Sequence, residues 1–292
     1  MVFSEIKYND TNQFSKLFVD YTEQKDNLKK LISEYPKIEN FKKQIKVKSE
    51  SFDHSIRPII KTVIKNQYKG ISLNNIQKKN LNLILNKNTF TVTTGHQLNI
   101  FTGPLYFIYK IFSTINLTEI LKKKYPKYDF VPMYWMATED HDFAEINNFY
   151  CFDRVFNWDS NQSGCVGDFN TDSINNTIEE LDIEISNFKS YSKIISIIKN
   201  SYLNSNNLSD ATRKFVNELF KEYGLLIIDP NNKQLKSNFS KITKSELIEN
   251  LIYNNSKEYT SFIKELGYKV QVNPRDINLF YIENGKRVRI VK

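Results

Sequence analysis

The sequence predicts an α/β fold built on a parallel sheet, and three observations carry that expectation. A β-branched run, Phe90 to Thr94 (FTVTT), is followed by a helix-patterned run, Leu105 to Lys124. A near-continuous apolar run, Tyr128 to Ala137 (YDFVPMYWMA), comes next and has the character of a buried parallel strand. An αβ step then recurs further on, where DATRKFVNELFKEY leads through Gly224 into LLIID, Leu225 to Asp229, closed by Pro230. Finally, 292 residues that are 40% hydrophobic and 14% aromatic can bury a core of one large domain or two ordinary ones.

Taken in order, residues 4–85 have apolar side chains at three- and four-residue spacings, as in Phe14, Leu17, Phe18 and Tyr21, and read as amphipathic helices. The strand at Phe90 is expected to end at Gly95. Pro104 suits the first turn of the next helix, and Lys122, Lys123 and Lys124 suit its C-terminal dipole. Residues 157–207 are rich in Asn and Ser and read as an insertion. Ser209 is the expected cap of the helix that follows. The C-terminal part offers two helices, stopped by Gly267, and a hairpin in which INLFYI and RVRIV flank Asn284-Gly285. Four segments result: a helical region 1–88 packing on the core, a first βαβ unit 89–156, an inserted segment 157–207, and a continuation of the core over 208–292.

Composition narrows the function. The net charge of +8 comes mostly from lysines scattered through Asn- and Ile-rich helical text, a pattern of compositional drift that argues against nucleic acid as a partner. No apolar run reaches the roughly 20 residues of a membrane span, and the first residues lack the pattern of a secretory signal. A cytoplasmic protein is expected. Cys151 and Cys165 are too few for a disulfide framework and read as ordinary thiols.

In a right-handed βαβ unit the loops after both strands open on the same edge of the sheet. Here those loops are GHQLNIFTGP and TEDHDFAEIN. The chain has only 8 Gly and 3 His, and the first loop holds two of those glycines and one histidine, so it draws attention. Gly95 would let a ligand approach the backbone, His96 and Gln97 supply donors, and a helix N-terminus favours negative charge. The same residues would also serve as a tight strand-to-helix turn. In the second loop Glu139, Asp140, His141 and Asp142 are consecutive, and Glu145 would share a helix face with His141 if a helix began there. Such carboxylates can cap a helix, work as an acid/base or ammonium-binding group, or hold Mg or Mn at least as readily as Zn; no metal site is assigned. Asp229 reaches the same edge if its strand is parallel. KITKS, Lys241 to Ser245, superficially echoes the lysine loop of class I aminoacyl-tRNA synthetases but reads as solvated helix.

Thr93-Thr94-Gly95-His96 fits the His/Thr-x-Gly-His signature of nucleotidylyltransferases and class I synthetases, in which the histidine steadies phosphates. The longer text is more specific. TTGHQLNIFTGPLYFIYKIFSTINL together with FVPMYWMATEDHDFAEIN resembles the bacillithiol-biosynthesis cysteine-adding (BshC) family, and ATRKFVNELFKEYGLLIIDP and NLFYIENGKRVRI are similar to its later segments.

That resemblance implies a Rossmann-like, nucleotidylyltransferase-like parallel sheet with a helical N-terminal layer and inserted connecting segments. It implies a ligase joining L-cysteine to glucosaminyl-malate through an amide bond, with ATP or another nucleotide as the expected activator and small molecules as its partners. Family members are longer, so this chain is expected to match their N-terminal part, without the C-terminal coiled coil through which the family forms homodimers. The implied catalytic set is His96, Glu139, Asp140, His141 and Asp142. The implied substrate- or nucleotide-binding set is Thr93, Thr94, Gly95, Gln97, Asn99, Thr102, Gly103 and Asp229. Two other functions stay open: a nucleotidyltransferase-like enzyme of another pathway, and an inactive truncated member that acts only as a binding module.

Overall fold

The structure is a computed structural model and describes residues 4–283 and 286–292. Helices α1 (Tyr8–Thr11), α2 (Lys16–Thr22), α3 (Phe41–Ser51), α4 (Arg57–Gln67) and α5 (Asn75–Leu83) precede the first strand, β1 (Thr89–His96). Helix α6 (Tyr106–Lys124) connects β1 to β2 (Asp129–Met136). A short α7 (Phe143–Ile146) leads to the antiparallel pair β3 (Asn148–Cys151) and β4 (Arg154–Asn157), followed by α8 (Asn175–Ile185), α9 (Tyr191–Tyr202) and α10 (Leu208–Phe220). Strand β5 (Leu226–Ile228) is followed by α11 (Lys233–Ser237), α12 (Ser240–Glu249), α13 (Leu251–Glu265), β6 (Phe280–Glu283) and β7 (Lys286–Arg289).

The chain divides into two compact units. One groups residues 4–47 with Ser240–Phe280 and Arg289–Lys292; the other comprises Lys48–Phe239 with Tyr281–Val288. Residues 157–207 thus belong to the same unit as the sheet, and residues 240–280 group with the N-terminus.

The larger unit holds a three-stranded parallel sheet in the order β1-β2-β5. Strands β1 and β2 run in register over eight pairs, from Thr89 opposite Asp129 to His96 opposite Met136. The α/β expectation is met, with one difference in detail. Gly95 does not end the first strand but lies within it, opposite Trp135, because an extended glycine completes the ladder as well as any other residue. Helix α6 covers one face with Phe107, Ile111, Ile115 and Leu121, and the Phe107 ring meets Tyr134 of β2 edge-on at 5.4 Å. The helix α10 cap is Asn207, which accepts from Asp210 N, whereas Ser209 lies inside the helix and donates to the Gly167 carbonyl.

Strand β5 is short, and side chains of α4 and the residue after it complete its pairing. The Gln67 amide accepts from Asp229 N at 3.0 Å and donates to Asp229 O at 2.7 Å. Tyr68 Oη accepts from Ile227 N at 3.0 Å in a fully buried position. Burial pushes the Tyr68 hydroxyl far above its ordinary range, so it stays protonated. Buried Arg57 donates to the carbonyls of Ile84 and Thr89 and so ties α4 to the start of β1.

The smaller unit packs Leu28 and Tyr35 with Tyr268. Tyr268 Oη donates to Asp20 at 2.6 Å, and Lys25 pairs with the same carboxylate at 2.8 Å. Hydrogen bonds from Lys25 and Tyr268 hold Asp20 below the usual carboxylate range. Residues 241–245 lie in α12, as expected. Strands β6 and β7 form a two-stranded sheet; the expected turn residues Asn284 and Gly285 lie outside the described residues. Among the described residues no helix is long and apolar enough to cross a membrane.

Tyr68→Phe removes the acceptor of Ile227 N while keeping the ring. It is expected to lower unfolding stability by about 1–3 kcal/mol, the cost of an unsatisfied buried donor, as read from the denaturation midpoint at constant m-value.

Candidate active site

Because β1, β2 and β5 are parallel, the residues that follow them emerge on one edge of the sheet. The two loops singled out by sequence are joined there by Gln97. Its Nε2 donates to Asp140 Oδ2 at 2.7 Å and to Glu145 Oε2 at 2.6 Å, so one amide group holds two carboxylates. Burial alone would raise the Asp140 carboxyl, but the hydrogen bonds from Gln97 and from the Asp142 and His141 N–H groups outweigh it and hold Asp140 below the usual range. Asp140 is therefore ionised at neutral pH.

His96 is the last residue of β1. Its Nδ1 lies 3.1 Å from the Gln97 carbonyl, which can only accept, so the proton sits on Nδ1. Phe107 packs edge-on against the ring at 5.0 Å. Burial, reinforced by the nearby Lys110 charge, lowers the imidazole below its ordinary range, against the opposing pull of the Gln97 carbonyl and of the Asn99 side chain, which favour the protonated ring. The free protein carries a neutral His96. Beneath the loop, Tyr134 Oη donates to the His96 carbonyl at 3.3 Å.

The turn between β1 and α6 holds unusual backbone. Phe101, Thr102 and Gly103 have φ of +51°, +77° and +52° in succession. Positive φ in two consecutive non-glycine residues costs energy and persists only where surrounding contacts enforce it. Phe101 N donates to Tyr202 Oη at 3.0 Å, and the Phe101 ring packs edge-on against Tyr202 and Phe149. Gly103 is required outright, since a Cβ there would lie 2.6 Å from Asn99 Cβ. Asn99 is only 6% exposed; its Nδ2 donates to the Glu145 carbonyl at 3.3 Å, while its Oδ1 is buried without a partner.

The remaining predicted residues are placed differently. Helix α7 starts at Phe143 with Asp142 as its cap, so His141 is outside the helix and does not share a face with Glu145. His141 Nδ1 donates to the Glu139 carbonyl at 2.8 Å, and Nε2 lies 3.8 Å from Cys165 Sγ. The Cys165 thiol is raised by burial and by Asp168 and Glu139, against Lys236. Glu139 pairs with Lys236 of α11. Asp229 accepts from Thr138 Oγ1 at 2.6 Å and from Asn231 N at 2.9 Å, and lies 3.6 Å from Arg213. These bonds tie the β2 and β5 ends together. Thr93 lies on the sheet face opposite His96 and Thr94, where it lines a cavity of about 370 Å³ with Phe52, Arg57 and Trp135.

Lys110, Lys236, Arg213 and Gln67 are the partners that sequence reasoning did not find. Each is a single polar residue on a helix, and helical periodicity says nothing of which loop such a side chain reaches.

The whole chain, residues 1–292, matches the family model described as "Bacillithiol biosynthesis BshC, N-terminal Rossmann-like domain". The chain belongs to the BshC family. It is similar to proteins named "Putative cysteine ligase BshC" from Flavobacterium johnsoniae (46% identical) and Flavobacterium psychrophilum (47%), in each case over 98% of this chain and 54% of the relative. The protein of the same name from Cytophaga hutchinsonii is 39% identical over 99% of this chain and 53% of its own length. The chain thus spans about half the length of these BshC relatives. The family match agrees with the resemblance carried by TTGHQ and TEDHD.

Gly95 of β1 and Gly103 of the following turn in this BshC chain should behave oppositely. Gly95→Ala meets only ordinary contacts with Trp135, at 3.8 Å or more, and should change stability by less than about 0.5 kcal/mol. Gly103→Ala must shift Asn99 and adopt a strained φ, and should cost upwards of about 1 kcal/mol; chemical denaturation of both variants makes the comparison.

Proposed function

We propose that this chain carries an amide-forming site that joins L-cysteine to glucosaminyl-malate, the ligase step of bacillithiol synthesis. The observation that carries the reading is the Gln97 bridge, which sets Asp140 and Glu145 beside the Gly95-His96 end of β1. Groups suited to an ammonium and groups suited to an anion then meet at one point.

Forming an amide requires an activated carboxyl group and a free amine. The Asp140 carboxylate is ionised and faces Gln97 N–H donors, an arrangement in which an arriving ammonium can take the place of the amide. Glu145, the second carboxylate on Gln97, is positioned to receive the proton that the amine must lose. The amine nitrogen then bonds to the acyl carbon, and the bond from that carbon to its phosphate-type leaving group breaks. Negative charge on that leaving group is received at the Gly95 N–H, His96 and the start of α6. Because the His96 carbonyl bonds to Ala137 N on the β2 side, the Gly95 N–H and C=O face the open edge of β1. ATP is the activator that this arrangement suits.

The test is to supply the chain with L-cysteine, glucosaminyl-malate and ATP and to follow the condensed product by mass spectrometry. His96→Ala should reduce product formation by about tenfold or more with the thermal transition unchanged. Unchanged turnover would remove His96 from the mechanism. Protection from heat by nucleotide but not by glucosaminyl-malate would favour a nucleotidyltransferase of another pathway.

A further inference from the structure

Lys110 lies one turn into α6, and its Nζ donates to the Gly95 carbonyl at 2.5 Å. The ammonium sits 5.2 Å from the centre of the Tyr106 ring. Other lysines, such as Lys25, Lys30, Lys221 and Lys236, stand against carboxylates. Among the described residues Lys110 has no carboxylate partner, only the Gly95 carbonyl and the Tyr106 ring. A second observation comes from the other neighbour of His96: Asn99 Oδ1, buried and without a donor, just ahead of the strained turn at Phe101 to Gly103. A buried acceptor in this state calls for a donor, which protonation of His96 in the loaded site would supply.

We propose that Lys110 is the anion-holding side chain of this site, exchanging the Gly95 carbonyl for a phosphoryl group of the ligand. The inference deepens the amide-forming reading and rests on its placing of the activated carboxyl at the end of β1. A bound phosphoryl group accepts from Lys110 Nζ and from the outward Gly95 N–H. It also cancels the Lys110 charge that opposes protonation of His96. The imidazole then takes up a proton, with Nδ1–H held by the Gln97 carbonyl and the new Nε2–H directed to Asn99 Oδ1, which gains its donor. The other titratable groups around His96 are Tyr106 from α6, Tyr134 from β2, and Asp140 and Glu145 across Gln97.

The chain has three histidines, so the ring signal of His96 can be followed by NMR with inorganic pyrophosphate as the probe. In the unmodified chain, saturating pyrophosphate should raise the His96 titration midpoint by about half a unit or more. Lys110→Met should weaken pyrophosphate binding by about tenfold or more and abolish the shift on ligand, and Lys110→Arg should retain part of both. Pyrophosphate that binds Lys110→Met within about twofold of the unmodified chain, or that fails to move His96 in the unmodified chain, overturns the proposal. Loss of the ligase reading is a separate result. Binding through Lys110 without any cysteine condensation keeps this inference and removes that function, whereas condensation unaffected by Lys110→Met does the reverse.

Discussion

The eight-residue parallel register of β1 with β2 is the constraint on which the site depends. Parallel pairing sends both strands out of the sheet at the same edge, and the pairing of His96 with Met136 brings the two loops out level with one another. Gln97 can then reach Asp140 and Glu145 directly. A slip of one residue would turn His96 to the other face, where Thr93 lies, and separate it from Phe107. The apolar packing of α6 beneath the sheet and the deep burial of Tyr134 oppose any such slip, so a core contact governs the geometry of a polar site.

Around that register the polar side chains divide into two kinds. Asp142 caps α7, and Asp229 ties the β2 end to β5 through Thr138. Their acceptor oxygens are occupied by the fold. Asp140 and Glu145 are held by a side-chain amide, and Lys110 by a single carbonyl, both of which a ligand can displace. Asn99 Oδ1 is held by nothing. The groups whose partners can be exchanged cluster at the end of β1, and the strained turn over Phe101 to Gly103 is located there too, where Tyr202 and Phe149 hold it in place.

Much of this was legible in the sequence. The β-branched run from Phe90, the near-continuous apolar run from Tyr128 and the short apolar run from Leu225, with helical periodicity between them, are local signals, and the parallel sheet follows from them. TTGHQ and TEDHD were identifiable because a βαβ unit brings such loops to one edge. The role of each carboxylate was not legible. Four consecutive polar residues, Glu139 to Asp142, point in different directions once the loop leaves β2, and their partners Lys236, Gln97 and Cys165 come from three other segments. Nor does local text show that Gly103 is required by Asn99 while Gly95 is not, since that difference is one of tertiary space.

The two margins of the sheet are finished in different ways. On the β5 side, Tyr68 and Gln67 occupy the outward groups of Ile227 and Asp229, and the margin is sealed by neutral side chains. On the β1 side, Arg57 takes the carbonyl of Thr89 and Lys110 that of Gly95, so a cation stands at each end with Thr91 and Thr93 between them. A further strand could be added only on that side. In doing so its backbone would donate to the Gly95 carbonyl in place of Lys110 and accept from the outward Gly95 N–H, so extending the sheet and holding an anion at Gly95 would compete for the same backbone groups.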